Sequence, residues 1–307
     1  MLNFAIVKKV LVTGSNGLLG QKLCDLYLPL EEIDFLATAR GKNRYPSTSL
    51  SYQEMDISQK GSVQKVLQAF RPDCVIHTAA MTHVDDCEEN PKECDLLNVE
   101  AVKFLVETCN AVGAHFIHLS TDFIFDGQEG PYSEEAVPNP LCYYGKSKLR
   151  AEEYVQEHCK SWSILRTVLV YGLVQDMSRS NIVLWAKNAL LDKKVIRVVD
   201  DQFRTPTLAE DLALGCRLAE MKEATGVFHI SGKDFMSIYE LVKRVANAYQ
   251  LSMENVEKVS SQILNQKAQR PSKTGFVLEK ARSVLGFMPR SFEEGIALVE
   301  RQFQAYR

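Results

Sequence analysis

Apolar residues fall into two alternating rhythms over the first half of the chain. Short, β-branched-rich runs predict buried strands at Lys8–Thr13 (KKVLVT), Ile33–Ala39 (IDFLATA), Leu50–Met55, Asp73–His77 (DCVIH), Ala114–Leu119 (AHFIHL) and Ser161–Leu165 (SWSIL). Between them, apolar positions recur at spacings of three and four, which predicts amphipathic helices. One runs through Lys22, Leu23 and Leu26 to about Tyr27. A second spans 59–70 (Val63, Val66, Leu67, Phe70) and stops before Pro72. A third covers about 94–112 (Leu97, Val102, Leu105, Val106, Cys109), and a fourth carries Tyr144. Strand and helix alternate five times, so the fold class is α/β, a doubly wound parallel sheet with right-handed crossovers.

After Gly172 the rhythm changes. A helix at about 180–191 precedes a strand at 195–199. Further helices follow at about 209–222 and 237–250 with a strand at Val227–Ser231 between them; 253–277 is polar and irregular, and closing helices lie near 278–285 and 292–305. The expected division is a nucleotide-binding domain of 1–172 plus 198–231, and a smaller lobe of 173–197 plus 232–307.

Composition narrows the function classes. With 46% hydrophobic and 24% charged residues, the chain is an ordinary globular protein, and its length gives it an ample core. A net charge of −3, with no basic cluster interleaved with aromatics, argues against nucleic-acid binding. No apolar run approaches the ~20 residues that cross a bilayer. MLNFAIVKK has its basic residues after the apolar ones; it reads as an extension of the first strand rather than a leader. The eight cysteines are scattered, without C-x-x-C pairs or histidines at metal-ligand spacing, so no metal site is expected. Reduced, buried thiols point to a reducing compartment, the cytoplasm. The six histidines read as structural or exposed.

Two motifs carry chemistry. Gly14-Ser15-Asn16-Gly17-Leu18-Leu19-Gly20 lies between the first strand and first helix, the context a dinucleotide fingerprint requires. Gly14 suits the tight turn, Gly17 the approach of a pyrophosphate, and Gly20 close helix–strand packing. The helix N-terminus offers free N–H groups and partial positive charge to phosphates. This makes the sheet Rossmann-type. The second strand ends in Thr38-Ala39-Arg40-Gly41, with no acid for a ribose 2′-hydroxyl and an arginine for a 2′-phosphate; NADP(H) is expected, with NAD(H) the second candidate. Asp56, beside Ile57, suits the adenine amine. The small residues of Thr78-Ala79-Ala80-Met81-Thr82 leave room for a ligand, and Asn98 is a polar residue among apolar neighbours.

The second motif is Tyr144-x-x-x-Lys148. Four apart on a helix, the two side chains share a face. A cation one turn away stabilises the phenolate and makes the tyrosine a usable acid. Ser120-Thr121-Asp122 ends a strand, where ligands bind in open parallel sheets.

Together, Thr13–Gly20, Ser120-Thr121-Asp122 and Tyr144-x-x-x-Lys148 resemble the extended short-chain dehydrogenases/reductases. Further stretches narrow the likeness. They are Thr78–Asp85, Ser120–Gly127, Pro138-Asn139-Pro140 before Tyr144–Lys148, Asp201-Gln202-Phe203 with Thr205-Pro206-Thr207, and Arg270-Pro271. These are similar to the dTDP-4-dehydrorhamnose reductases over nearly the whole chain. The resemblance implies NADPH-dependent reduction of the 4-keto group of a nucleotide-linked deoxysugar, from dTDP-4-dehydrorhamnose to dTDP-rhamnose. It implies catalysis by Tyr144, Lys148 and Thr121, with Tyr144 donating the proton, Lys148 lowering its pKa and binding the nicotinamide ribose, and Thr121 orienting the carbonyl. It implies cofactor contacts at Gly14, Asn16, Gly17, Leu18, Leu19, Gly20, Arg40, Asp56, Ile57, Thr78, Ala79, Ala80, Thr82 and Asn98, besides Tyr144 and Lys148. Substrate contacts would be Val84, Asp85, Thr121, Asp122, Arg204 and Arg270. The resemblance also allows a homodimer. Arg204 and Lys273-Thr274-Gly275 depart from the most familiar reductases, which have a small residue and Asn-Ser there. The same branch includes the non-catalytic β subunit of methionine adenosyltransferase. An NAD-dependent sugar-nucleotide epimerase or dehydratase is the other enzyme reading.

Overall fold

A computed structural model describes residues 7–174, 176, 180–264 and 266–305. The expected extension of the first strand toward Met1 lies outside them.

The first half builds the predicted units in order, with one unpredicted helix, α3, after the fourth strand: β1 (Lys8–Thr13), α1 (Leu18–Tyr27), β2 (Ile33–Ala39), β3 (Tyr52–Glu54), α2 (Lys60–Phe70), β4 (Cys74–His77), α3 (Val84–Glu89), α4 (Pro91–Asp95), α5 (Ala101–Val112), β5 (His115–Thr121), α6 (Tyr143–His158) and β6 (Trp162–Thr167). The predicted helix over 94–112 is interrupted. A π-helical turn, Leu96–Glu100, joins α4 to α5. Such bulges sit often at functional sites, and this one carries Asn98.

The second half is shorter in its strands. It holds β7 (Val170–Tyr171), α7 (Ile182–Leu191), β8 (Ile196–Val199), β9 (Phe203–Arg204), β10 (Thr207–Leu208), α8 (Ala209–Met221), β11 (Gly226–His229), β12 (Met236–Ser237), α9 (Ile238–Tyr249), β13 (Val256–Val259) and α10 (Phe292–Ala305). The stretch read as irregular contains β13, which pairs in parallel with β8. Near 278–285 the predicted helix is present from Glu279, and its last part is a π-helical turn, Ala281–Leu285.

Seven strands form one parallel sheet in the order β11-β6-β5-β4-β1-β2-β3. The order reverses beside β1, so β1 and β4 flank the switch point where open α/β sheets bind ligands. Alternating residues along each strand feed two cores. Val10, Val12 and Ile76 face α1 and α8, whereas Leu11, Val75, Phe116 and Ile164 face α2, α5 and α6. A third cluster, with Tyr171, Leu190, Leu241, Val245, Phe292 and Ile296, forms the core of the second lobe. Ala281, Leu285 and Phe287 join the β1–α1 core instead, so the last part of the chain returns to the sheet before α10 leaves it. Among the described residues no helix is long and apolar enough to cross a membrane.

Candidate active site

The β1–α1 turn has the geometry its glycines suggested. Gly14 has φ +72°, and a Cβ there would lie 2.8 Å from Ala79 N and Thr78 Oγ1; only glycine fits both the backbone and the space. A Cβ on Gly20 would lie 2.2 Å from the Gly14 carbonyl oxygen, which is what closes α1 onto the turn. Gly17 is exposed, and no side chain caps the α1 N-terminus. The first-turn amides of Leu18 and Leu19 therefore open onto the surface of the turn. Ser15 Oγ is fully buried there with no hydrogen-bond partner. An orphaned hydroxyl beside uncapped amides fits a phosphate-bearing ligand.

Other residues expected at this site hold the protein itself. Asn16 donates from Nδ2 to Lys42 O (2.9 Å) and accepts at Oδ1 from Arg44 N (2.9 Å), so it anchors the loop after β2. Arg40 is exposed at the mouth of that loop. Asp56 Oδ1 accepts from Ser58 N (2.9 Å) and Ser58 Oγ (2.7 Å), a local turn that engages one of its two oxygens; Ile57 beside it is buried. Thr78 Oγ1 donates to Thr13 O (2.7 Å), which fixes the start of the Ala79-Ala80 segment rather than offering its proton to a ligand. Thr82 is exposed beyond that segment.

Asn98 settles its own question. Its Oδ1 accepts from Met81 N (2.8 Å), and its Nδ2 donates to Met81 O (3.0 Å) and Ser147 Oγ (3.0 Å). Ser147 Oγ donates to Tyr144 O (2.7 Å). The π-helical turn thus ties the loop after β4 to the first turn of α6, and so sets the height of Tyr144 against the sheet. Gly145 does the same from the other side. A Cβ there would lie 2.1 Å from Phe123 O, so its absence lets α6 sit directly on the short turn after β5. Neither contact is visible in a motif: the two partners are 17 and 22 residues away in sequence.

Tyr144 and Lys148 both lie on α6 and are 9% and 3% exposed. Burial pushes the Tyr144 phenol up, and the nearby Thr121 hydroxyl opposes that rise. The expected depression by Lys148 is absent. The Lys148 ammonium is turned to β5, donating to Leu119 O (2.6 Å) and His118 Nε2 (3.1 Å). Burial lowers Lys148 to about 8, with Glu152 opposing. Glu152 is itself held by Arg166 (Nη2–Oε2 2.7 Å), so it is an already paired counter-charge.

Thr121 Oγ1 donates to Asp122 Oδ1 (3.1 Å) and accepts from Phe123 N (3.2 Å). A hydroxyl has one proton, and this one is held by the carboxylate. Thr121, expected to orient a carbonyl, has its proton engaged by Asp122 in this structure. Asp122 is 2% exposed; burial pushes its carboxyl up, against Arg204 and the Thr274 hydroxyl, which hydrogen-bonds its Oδ2.

The expected substrate contacts are largely committed to one another. Arg204 is 3% exposed, with Nε 3.6 Å from Asp122 Oδ2, Nη1 on Phe203 O (2.7 Å) and Ser272 O (3.2 Å), and Nη2 on Pro271 O (2.8 Å). Its guanidinium is buried and held by groups of the protein itself. The two departures, Arg204 and Thr274, converge on the same carboxylate. Arg270 Nη2 pairs with Asp85 Oδ2 (2.8 Å), and Asp85 Oδ1 accepts from Ala268 N (3.0 Å); the arginine holds the Asp85 carboxyl below its ordinary range. Val84, half-buried at the start of α3, packs in the cluster with Tyr144, Cys87, Cys94 and Cys142. All eight cysteines are buried and free.

Comparison with known proteins identifies the family. A family model described as the RmlD substrate binding domain matches residues 8–305. The methionine adenosyltransferase 2 subunit beta of Bos taurus is 32% identical over 270 residues, covering 86% of this chain and 78% of that protein. The spore coat polysaccharide biosynthesis protein SpsK of Bacillus subtilis is 30% identical over 289 residues, covering 94% and 95%. Among solved structures, the dTDP-4-dehydrorhamnose reductase of Bacillus anthracis in complex with NADP has a TM-score of 0.85 at 28% identity, covering 96% of this chain and 99% of that one. The chain belongs to the RmlD substrate-binding domain family, within the extended short-chain dehydrogenase/reductase superfamily.

Proposed function

We propose that the protein is an NADPH-dependent reductase of a keto group on a nucleotide-linked deoxysugar, with dTDP-4-dehydrorhamnose to dTDP-rhamnose as the leading reaction. The observation that carries this is the meeting of an uncapped glycine turn at the sheet's switch point with a buried Tyr144/Lys148 face at the end of β5. The reductase of Bacillus anthracis, solved with NADP, supports the cofactor. So does the exposed Arg40 at the end of β2, where no acid stands.

A dinucleotide would lie on Gly14, Gly17 and the α1 amides, with Ser15 Oγ as a further donor and Arg40 beside a 2′-phosphate. When bound, it supplies hydride. The protein supplies position and a proton. Tyr144 is the proton donor to the developing alkoxide. Thr121, beside the phenol, orients the carbonyl by exchanging its bond to Asp122 for one to the substrate oxygen. Lys148 offers its remaining N–H to the ribose and so places the nicotinamide beside Tyr144. The Asp122–Arg204 and Asp85–Arg270 pairs shape the sugar side of the cleft without contacting the reacting carbon.

A second reading has a specific observation in its favour. The methionine adenosyltransferase 2 beta subunits align over most of the chain, and the residues expected to hold a sugar nucleotide are tied to each other. A regulatory subunit would bind NADP(H) without turning over a sugar and would copurify with a larger enzyme. Steady-state NADPH oxidation with a nucleotide-linked 4-keto-6-deoxysugar separates the two. Turnover that is lost in Tyr144→Phe supports the reductase; tight NADPH binding with no turnover supports the subunit. An NAD-dependent epimerase would instead copurify with NAD and gain nothing from added NADPH.

A further inference from the structure

A row of polar side chains crosses the buried sheet toward Lys148. Thr13, His77 and His118 are direct cross-strand partners on β1, β4 and β5, and they are 0%, 2% and 0% exposed. Thr13 Oγ1 and His77 Nδ1 are 2.7 Å apart. The His77 and His118 rings stack with centroids 5.6 Å apart, and Phe116 stacks against both. The row ends where His118 Nε2 meets Lys148 Nζ at 3.1 Å.

The roles in that last contact follow from counting protons. An ammonium has donors only, so Nε2 accepts and the ring proton sits on Nδ1. His118 Nδ1 has no hydrogen-bond partner and is buried. A dry N–H without an acceptor is unfavourable, and an apolar side chain in the same stack would avoid it. Packing therefore does not explain the imidazole; the contact with Lys148 does. The charged or titratable groups facing the ring are Lys148 from α6 and His77 from β4, and both join burial in keeping it neutral.

We propose that His118 is a positioning residue for Lys148. Leu119 O and His118 Nε2 take two of the three ammonium N–H bonds. The third then has one direction, set by the other two, and it is the bond left for the ribose hydroxyls of a nicotinamide nucleotide. Without His118 one buried N–H loses its acceptor and Leu119 O alone holds the ammonium, so the flexible lysine stem swings about that single contact and the third N–H loses its aim. The inference rests on the reading of Lys148 as the ribose-binding member of the pair.

Two measurements on the full chain test it, and neither involves a sugar substrate. In a long-range proton–nitrogen spectrum of protein labelled with ¹⁵N-histidine, one ring is identified by its loss in His118→Gln. That ring carries its proton on Nδ1 with Nε2 bare; a proton on Nε2 overturns the proposal. NADPH affinity is the second readout. His118→Leu weakens it about tenfold, the value of one hydrogen bond to a charged group. His118→Gln, whose amide oxygen is again an acceptor, returns to within about threefold of wild type. Wild-type affinity in His118→Leu, or a Gln variant as weak as the Leu variant, overturns it. If His118→Leu does not fold, the wild-type spectrum and the Gln variant still decide. Failure of the reductase reading shows separately, as wild-type protein that binds NADPH and turns over no keto sugar.

Discussion

The β1–α1 turn and the junction of Asp122 and Asp85 with the 203–205 and 270–274 segments, the two regions expected to meet ligand, are built in opposite ways. The turn is assembled from seven consecutive residues, and its functional groups are backbone amides, small spaces and one orphaned hydroxyl. The junction is assembled from residues far apart in the chain, such as Asp122 with Arg204 and Asp85 with Arg270, and its charges neutralise one another. The lesson is that a charged residue aligned with a binding motif is a ligand contact only if the fold leaves it free. In the turn the Ser15 and Gly17 amides bind backbone carbonyls, and no side chain caps those of Leu18 and Leu19. At the junction each charge is already held by the protein: Arg204 by three backbone carbonyls and Asp122, Arg270 by Asp85.

That contrast can be broken experimentally, and the largest effect is expected at the catalytic face between the two regions. Tyr144→Phe should reduce turnover by about 10²–10⁴-fold, the usual contribution of a general acid, while NADPH binding stays near wild type. Turnover and titration of the same preparation check both halves. Arg204→Met comes next. It strands the Asp122 carboxylate in a buried site, which costs about 3–5 kcal/mol of stability for loss of one partner of a buried pair. Chemical denaturation reads this directly. If Arg204 were instead a ligand arm, stability would hold and only the substrate KM would move.

Gly20→Ala probes the turn. Its Cβ would overlap the Gly14 carbonyl oxygen, so the loop must shift; overpacking of this kind costs about 1–3 kcal/mol, and NADPH binding should weaken with it.

The pH dependence has a definite sign. Lys148 is lowered to about 8 by burial, so its cation is lost as pH rises through that value. The kcat/KM for NADPH should therefore fall above about pH 8, by about tenfold per unit once the ammonium is the minor form. Folding stability responds the other way. The native state binds fewer protons at Lys148 than the unfolded chain between about 8 and the ordinary lysine range, so this group's contribution rises with pH there.

The smallest effect is expected at Asp85–Arg270, a partly exposed pair. A double-mutant cycle with alanine should give a coupling of about 0.2–1 kcal/mol. The sugar-nucleotide KM should change little unless the pair opens to meet a diphosphate.

Much of the architecture was legible because it is local. IDFLATA became β2 residue for residue, and the glycine turn lies where its spacing put it. The Tyr144/Lys148 face was legible because helical periodicity alone puts both residues on one buried side of α6. What escaped depends on distant partners. A continuous apolar stripe over 94–112 has no feature that announces a π-helical turn; the turn is stabilised by what Asn98 holds across the cleft. Gly145 looked like one letter of a motif, and its meaning lies in Phe123 O. His118 read as a core histidine until Lys148 was found against it. The strand β13 was hidden in a polar stretch because only one short parallel partner, β8, supports it.

The central claim is that this face reduces a keto group, and one measurement tests it most directly. Purified protein is mixed with NADPH and a nucleotide-linked 4-keto-6-deoxysugar generated in situ, and NADPH loss is followed beside the Tyr144→Phe variant. The account predicts NADPH consumption with formation of the reduced sugar nucleotide, abolished in the variant. Tight NADPH binding with no consumption, or equal consumption in both proteins, would contradict it.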